Sequence, residues 1–382
     1  MPPLTHVEIL RRLISFDTTS SESNLDMADY LCNLLDRPGV EIIRIPAPSE
    51  PKANLVIILA PPGYQGSAGL ILSGHMDVVP AKEPQWTSDP FRLADTDEHF
   101  IGRGTADMKS FIALAALVAT RIDPSTLSHP LVLLFTYDEE TGTLGAKHFV
   151  STWPRERHLP KLAIIGEPTG NRIVRMHKGH LKLRVTVGGT SAHSGYPQLG
   201  DNAIERATRV LVSLSDLRRE LESERPPQAG FFPDVPFTSL NIATVHGGSA
   251  VNIVPELCEI EIGVRLLPGM DSADAIERIR RAVVRAEPDR ADLAIVSDSP
   301  PLLLDETSAF YGSLCATIGQ SSTESVSFAS DAGWLQTLGI ECALFGPGSI
   351  EVAHRPNEFI SKGEIVEAAG ILDRMVEMYC RL

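Results

Sequence analysis

Three of the most apolar strand-like runs in this chain lead straight into acids or a histidine. Leu70–Ser73 runs into Gly74-His75-Met76-Asp77. Leu131–Tyr137 runs into Asp138-Glu139-Glu140-Thr141, and Leu162–Ile165 into Gly166-Glu167-Pro168-Thr169. Two other segments hold the same residue types beside Gly or Pro: Gly104-Thr105-Ala106-Asp107-Met108-Lys109 and Ala353-His354-Arg355-Pro356. A short apolar run of this kind suits a buried strand, and strands alternating with helical patterns point to a layered α/β fold. In such a fold a strand end can aim a side chain into a cleft. Imidazole and carboxylate are usual ligands of zinc and related divalent ions, and catalytic sites keep a water position open beside them.

At 382 residues the chain is long for one core, so two domains are expected. No run of 18 apolar residues occurs, and no membrane span is expected. The start, Met1-Pro2-Pro3-Leu4-Thr5-His6, lacks the basic-then-apolar layout of a secretory signal, which points to the cytoplasm. A formal charge of −15 argues against nucleic acid as a partner. Cys32, Cys258, Cys315, Cys342 and Cys380 are scattered, with no Cys-x-x-Cys pair. They read as small apolar residues in a reducing compartment.

Periodicity predicts helices over 7–15, 25–35 and 110–121, strands over 41–45 and 55–59, and a hairpin over 91–101. Near residue 180 the pattern changes. Alternating strands over 181–187, 239–245, 256–266 and 293–296 enclose helices over 202–221 and 272–285. This is the β-α-β-β-α-β order of a ferredoxin-like unit. The α/β pattern resumes after Pro300-Pro301. Residues 1–179 and 298–382 are therefore expected to form one catalytic domain, with 180–297 inserted in it.

Each candidate also has a plainer reading. His75-x-Asp77 taken alone is a turn histidine beside a solvated acid. With metal bound, Asp77 would hold the imidazole nitrogen that the ion does not use. Asp107 before a helix is first an N-cap, yet its two oxygens could bridge two cations. Asp138, Glu139 and Glu140 form either a solvated turn or a cluster that cations must offset. Adjacent residues point apart, so one Glu could bind metal while the other serves as general base. Glu167 and His354 are weak signals singly. The chain has no Gly-x-Ser-x-Gly elbow, no phosphate loop and no His-Glu-x-x-His helix.

Taken in order, Ser-Gly-His-Met-Asp, Gly-Thr-Ala-Asp-Met-Lys, Asp-Glu-Glu and Gly-Glu-Pro-Thr resemble the motifs of the co-catalytic zinc aminoacylase and exopeptidase family. The similarity runs collinearly over nearly the whole chain. Segments 102–109, 177–180, 265–270 and 346–354 look most like its acetylornithine deacetylase branch. The resemblance implies a zinc-exopeptidase-like catalytic domain, with a mixed central sheet flanked by helices and an inserted lid that also dimerises the protein. It implies two divalent ions, zinc foremost and cobalt or manganese next. Asp107 would bridge them, followed by a cis peptide. His75 and Glu167 would complete one ion, and Glu140 and His354 the other. Glu139 would activate the bridging water. His193 would reach across a dimer interface to the scissile carbonyl, while Asn252 and Arg265 would hold the substrate carboxylate. The implied reaction is removal of an acetyl group from N2-acetyl-L-ornithine. Another N-acyl amino acid such as N-acetylcitrulline, a dipeptide, or a non-catalytic metal-binding role are the alternatives. Two departures stand out: Ser330-Asp331-Ala332 replaces the branch's Thr-Glu-Ala, and Asn357 stands where Asp is common. Asp331 is the candidate for altered side-chain preference.

Overall fold

The computed structural model describes residues 4–381. They divide into two compact units. The first holds the chain up to Arg175, Leu304–Glu324 and the segment from Ser330 on; the second holds Met176–Leu303 and Ser325–Ala329.

The first unit is built on a mixed sheet. Six strands of this nine-stranded sheet lie in the order Val40–Pro46, Ala53–Leu59, Leu131–Thr136, Leu70–His75, Leu162–Ile165, Glu341–Leu344. The first two pairings are antiparallel and the next three are parallel. His75 lies opposite Thr136 and Ser73 opposite Ile165, so the parallel strands finish on one edge. That edge is where open α/β sheets place their sites. Every residue of Leu70–His75 and of Leu131–Thr136 is buried, which is why these strands read as unbroken apolar runs.

The helix Lys109–Arg121 is buried from Lys109 to Ala119. A helix apolar on all sides belongs inside the core. It packs against the helices His6–Ile14 and Lys362–Val376 and the strand Leu70–His75. His6–Ile14 starts with a capping box: the Thr5 hydroxyl accepts from Glu8 N–H, and the Glu8 carboxylate accepts from Thr5 N–H. Gly166 marks a close approach to the buried helix. A Cβ there would sit 1.9 Å from the Phe111 ring. The hairpin Ala94–Asp95 with His99–Ile101 gains Phe359–Ser361 as a third strand. The helix Leu144–Thr152, which sequence patterning leaves unassigned, lacks a start signal. Thr143 stands at its cap in a left-handed conformation, and its hydroxyl accepts from Trp334 Nε1 instead of capping the helix.

The second unit is a four-stranded antiparallel sheet in the order Ser239–Gly247, Leu257–Leu266, Gly179–Gly188, Ala291–Ser299. Burial alternates along Gly179–Gly188, as in a sheet with one covered face. The helix Ala203–Ser223 buries Ala203, Ala207, Val210, Leu214, Leu217 and Leu221, one apolar stripe. Asn202 caps it by accepting from the N–H groups of Ile204 and Glu205. With Ser272–Ala286 the element order is β-α-β-β-α-β. The unit starts and ends outside 180–297, running from Met176 to Leu303. All five cysteines are free, and no helix among the described residues is long and apolar enough to cross a membrane.

Candidate metal centre

The sheet edge delivers most of the centre. His75 ends the strand Leu70–His75, Glu139 and Glu140 follow Leu131–Thr136 by two residues, and Glu167 follows Leu162–Ile165 by one. Asp107 comes from the loop before Lys109–Arg121. The helix cap position is Met108, without a side-chain cap bond, so the Asp107 carboxylate is not used as an N-cap. The Asp107–Met108 peptide is cis. His354 sits in a loop with φ +61°.

Asp107 divides its two oxygens between two histidines. Oδ1 is 2.9 Å from His75 Nε2, and Oδ2 is 3.3 Å from His354 Nε2. His354 Nε2 also lies 3.0 Å from Glu140 Oε1. Two groups result whose ligand atoms lie within 4.8 Å of one another: His75, Asp107 and Glu167, and Asp107, Glu140 and His354. The first group is buried throughout. Glu167 is 3% exposed, and its Oε1 has no hydrogen-bond partner. A buried carboxylate oxygen without a donor is costly unless a cation meets it. Each group offers one imidazole and two carboxylates, a nitrogen and oxygen set that fits zinc and its neighbours.

The electrostatics are those of crowded acids around two imidazoles. Burial alone would lower the His75 pKa. The Asp107 hydrogen bond and the charges of Asp107, Asp77 and Glu139 override it and hold the pKa well above the usual value. Hydrogen bonds to Asp107 and Glu140 push His354 up to about 10, against burial. Burial works to raise the Asp107 carboxyl, but the hydrogen bonds from His354 and His75 bring it below the ordinary range. Glu139 and Glu167 are held well above that range by burial first, with neighbouring acids adding to it. Glu140 is raised by burial and by the Asp107 charge.

Asp77 meets the other imidazole nitrogen of His75 chiefly through its main chain. His75 Nδ1 lies 2.9 Å from the Asp77 main-chain carbonyl, and 3.6 Å from its carboxylate. The carboxylate is occupied elsewhere. Its Oδ1 accepts from Glu139 N–H at 3.0 Å, and its Oδ2 from Glu140 N–H at 3.2 Å and Ser20 Oγ at 2.8 Å. The carbonyl still fixes the imidazole, presenting Nε2 to the centre. Within the three-acid run, Asp138 is set apart from the two glutamates. Lys52 Nζ donates to both oxygens of Asp138, at 2.9 and 2.7 Å, so this acid is offset by a lysine. Nothing in the spacing of Lys52 announced that role.

The profile of peptidase family M20/M25/M40 matches residues 71–378. The chain belongs to this family. Among curated family relatives, the acetylornithine deacetylase of Proteus mirabilis is 34% identical, over 98% of this chain and 97% of its own length. That of Vibrio cholerae O1 El Tor is 35% identical, over 100% of both. A metallo-carboxypeptidase of the M20 family from Sulfolobus solfataricus superposes with a TM-score of 0.78 at 16% identity, covering 98% of this chain and 99% of its own. A Bacillus subtilis protein described as a dinuclear metal binding peptidase of the M20 family gives 0.67 at 14% identity, with 98% and 97% covered. These two likenesses are of fold.

The remaining candidates divide between the units of this M20-family chain. Asp331 is in the first unit, fully buried, and accepts from Thr136 Oγ1 at 2.5 Å while its other oxygen has no partner. Burial, opposed by that bond, lifts its pKa to about 6. His193, Asn252 and Arg265 are in the second unit. His193 is exposed, and the short strand that carries it pairs with Ile253–Val254. The Asn252 carbonyl accepts from Ser194 N–H. Arg265 lies directly opposite His180 on the neighbouring strand. Asn357 has φ +60°, accepts from Thr87 N–H and Oγ1, and donates to the Gln85 carbonyl. An aspartate could not make that last bond. Glu358, one residue on, is a buried carboxylate that no sequence motif singled out. Its only sequence signal was an acid just before an apolar strand.

Proposed function

We propose that this chain is a metal-dependent amidohydrolase that removes an N-acyl group from an amino acid, with N2-acetyl-L-ornithine as the leading substrate. The observation that carries the reading is the Asp107 carboxylate standing between two histidines, one oxygen toward each. Full-length similarity to acetylornithine deacetylases supports the substrate class. His75, Asp107 and Glu167 would hold one divalent ion, and Asp107, Glu140 and His354 the other. Zinc fits this donor set first, with cobalt and manganese as alternatives. Ions bound there would acidify water and polarise a carbonyl oxygen.

The chain's own groups supply the rest. Glu139 takes the proton from the attacking water and returns it to the amide nitrogen as the C–N bond breaks, giving a carboxylate and a free amine. A general base works best with a pKa near the working pH, and burial moves Glu139 in that direction. Asp77 anchors the Glu139 and Glu140 main chain. Asn252 and Arg265 bind the substrate carboxylate, for which the Arg fork is suited. Asp331 bears on the choice of side chain.

His193 is assigned to the developing oxyanion. Gly195 N–H donates to its Nδ1 at 3.0 Å, which leaves Nε2 as the nitrogen free to donate. We assign it to the substrate of a second copy of the chain in a homodimer. His193→Ala should lower kcat about 10²–10³-fold, as loss of one such donor does. Mixing it with a Glu139→Ala chain should restore activity through hybrid sites. If subunits exchange and the mixture stays inactive, the cross-subunit assignment fails.

Amine release from a panel of substrates, with zinc and with cobalt, tests the main reading. N-acetylornithine should give the highest kcat/KM, above N-acetylcitrulline, other N-acyl amino acids and dipeptides. Higher values for dipeptides would make the chain a peptidase. No turnover in metal-loaded protein would make it a binding protein.

A further inference from the structure

The Asp107 loop is gripped by a single buried carboxylate. Glu358 Oε1 accepts from Ala106 N–H at 2.8 Å and from Asp107 N–H at 3.0 Å. Its Oε2 accepts from Gly104 N–H at 3.1 Å and from Arg103 Nη1 at 2.8 Å. The Glu358 main-chain carbonyl accepts from Gly102 N–H at 2.9 Å and from Thr105 Oγ1 at 3.2 Å. Every residue from Gly102 to Asp107 therefore bonds to Glu358. Glu358 and Arg103 are each 1% exposed, so water does not compete for these bonds. Arg103 is itself held by the Pro80 carbonyl and lies over the Trp86 ring.

Asp107 must present one oxygen to each of two histidines, which fixes the direction of its Cα–Cβ bond closely. That direction depends on the peptide plane entering Asp107, and Glu358 holds the N–H of that plane and of the plane before it. Glu358 also lies four residues after His354. The intervening Asn357 is bonded to Gln85 and Thr87, so the segment between them is anchored as well.

We infer that Glu358 is the positioning residue of the metal centre: it aims Asp107 at both halves of the site and ties that aim to the segment carrying His354. The inference rests on the two-metal reading. It does not make Glu358 a ligand or a catalytic residue. Gln cannot replace it. All four groups around the two carboxylate oxygens are donors, so in either orientation a Gln amide would point its own N–H₂ at two of them.

The test compares Glu358→Gln with the parent chain by cobalt titration, read as the visible absorption of the bound ion and as ions per chain after dialysis. The variant is expected to bind cobalt about 10–100-fold more weakly, as loss of outer-shell partners does. Its absorption spectrum should change, and kcat should fall more than KM changes. A folded Glu358→Gln chain with parent affinity, spectrum and kcat overturns the inference. A parent chain that binds no ion overturns the two-metal reading instead. One measurement on the unaltered chain holds even if the variant does not fold. In metal-free parent protein, hydrogen exchange at the N–H groups of Gly102, Gly104, Ala106 and Asp107 should already be slow, because Glu358 and not an ion holds them. Fast exchange there, slowed only by added metal, overturns the inference.

Discussion

Glu139→Ala is expected to retain both ions and lose about 10²–10⁴-fold in kcat, the usual contribution of a general base. Glu139 belongs to neither of the two ligand groups, and its main-chain N–H is bonded to Asp77. Removing its side chain therefore leaves the turn in place. Glu140→Ala should behave differently. Glu140 shares the His354 imidazole with Asp107, so its loss should weaken one ion and reduce activity through metal content. Metal analysis and single-turnover rates on the two variants separate the roles. Equal metal loss in both, at equal activity, would refute the assignment of base and ligand.

Asp107→Asn should have the broadest effect on metal. The carboxylate serves two imidazoles with two oxygens, and an amide has one oxygen and one N–H₂. Whichever way the amide turns, one of the two ligand groups receives an N–H₂ where it needs an oxygen. At least one ion should be lost on dialysis, with a drop in affinity beyond the roughly 10–100-fold typical of outer-shell changes, because a direct ligand is altered. Activity should fall with it, and added metal should restore little. A variant that keeps two tightly bound ions would show that Asp107 does not bridge. Cobalt titration and ion counting after dialysis decide this.

Much of the centre was legible because its groups stand in local contexts that a sequence displays. A fully buried parallel strand leaves a long apolar run, and an acid or histidine straight after it stands out. His75, Glu139, Glu140 and Glu167 were visible in that way. The β-α-β-β-α-β order of the second unit was visible for a similar reason, since half-covered strands alternate and helices carry one apolar stripe. Asp107 and His354 were weaker signals, each with an ordinary loop explanation.

The sequence by itself determined the layered architecture, the inserted unit and the set of groups available for metal, because periodicity and strand-end chemistry are local properties of the chain. Only the tertiary structure decided how those groups are shared. It turned the Asp77 carboxylate to the Glu139 and Glu140 main chain, leaving His75 to a carbonyl. It answered Asp138 with Lys52, 86 residues away. It brought Glu358 onto the Asp107 loop across 251 residues. The physical reason is common to all three. A buried carboxylate must find donors, and which donors it finds depends on contacts between segments far apart in the chain, which no local pattern encodes.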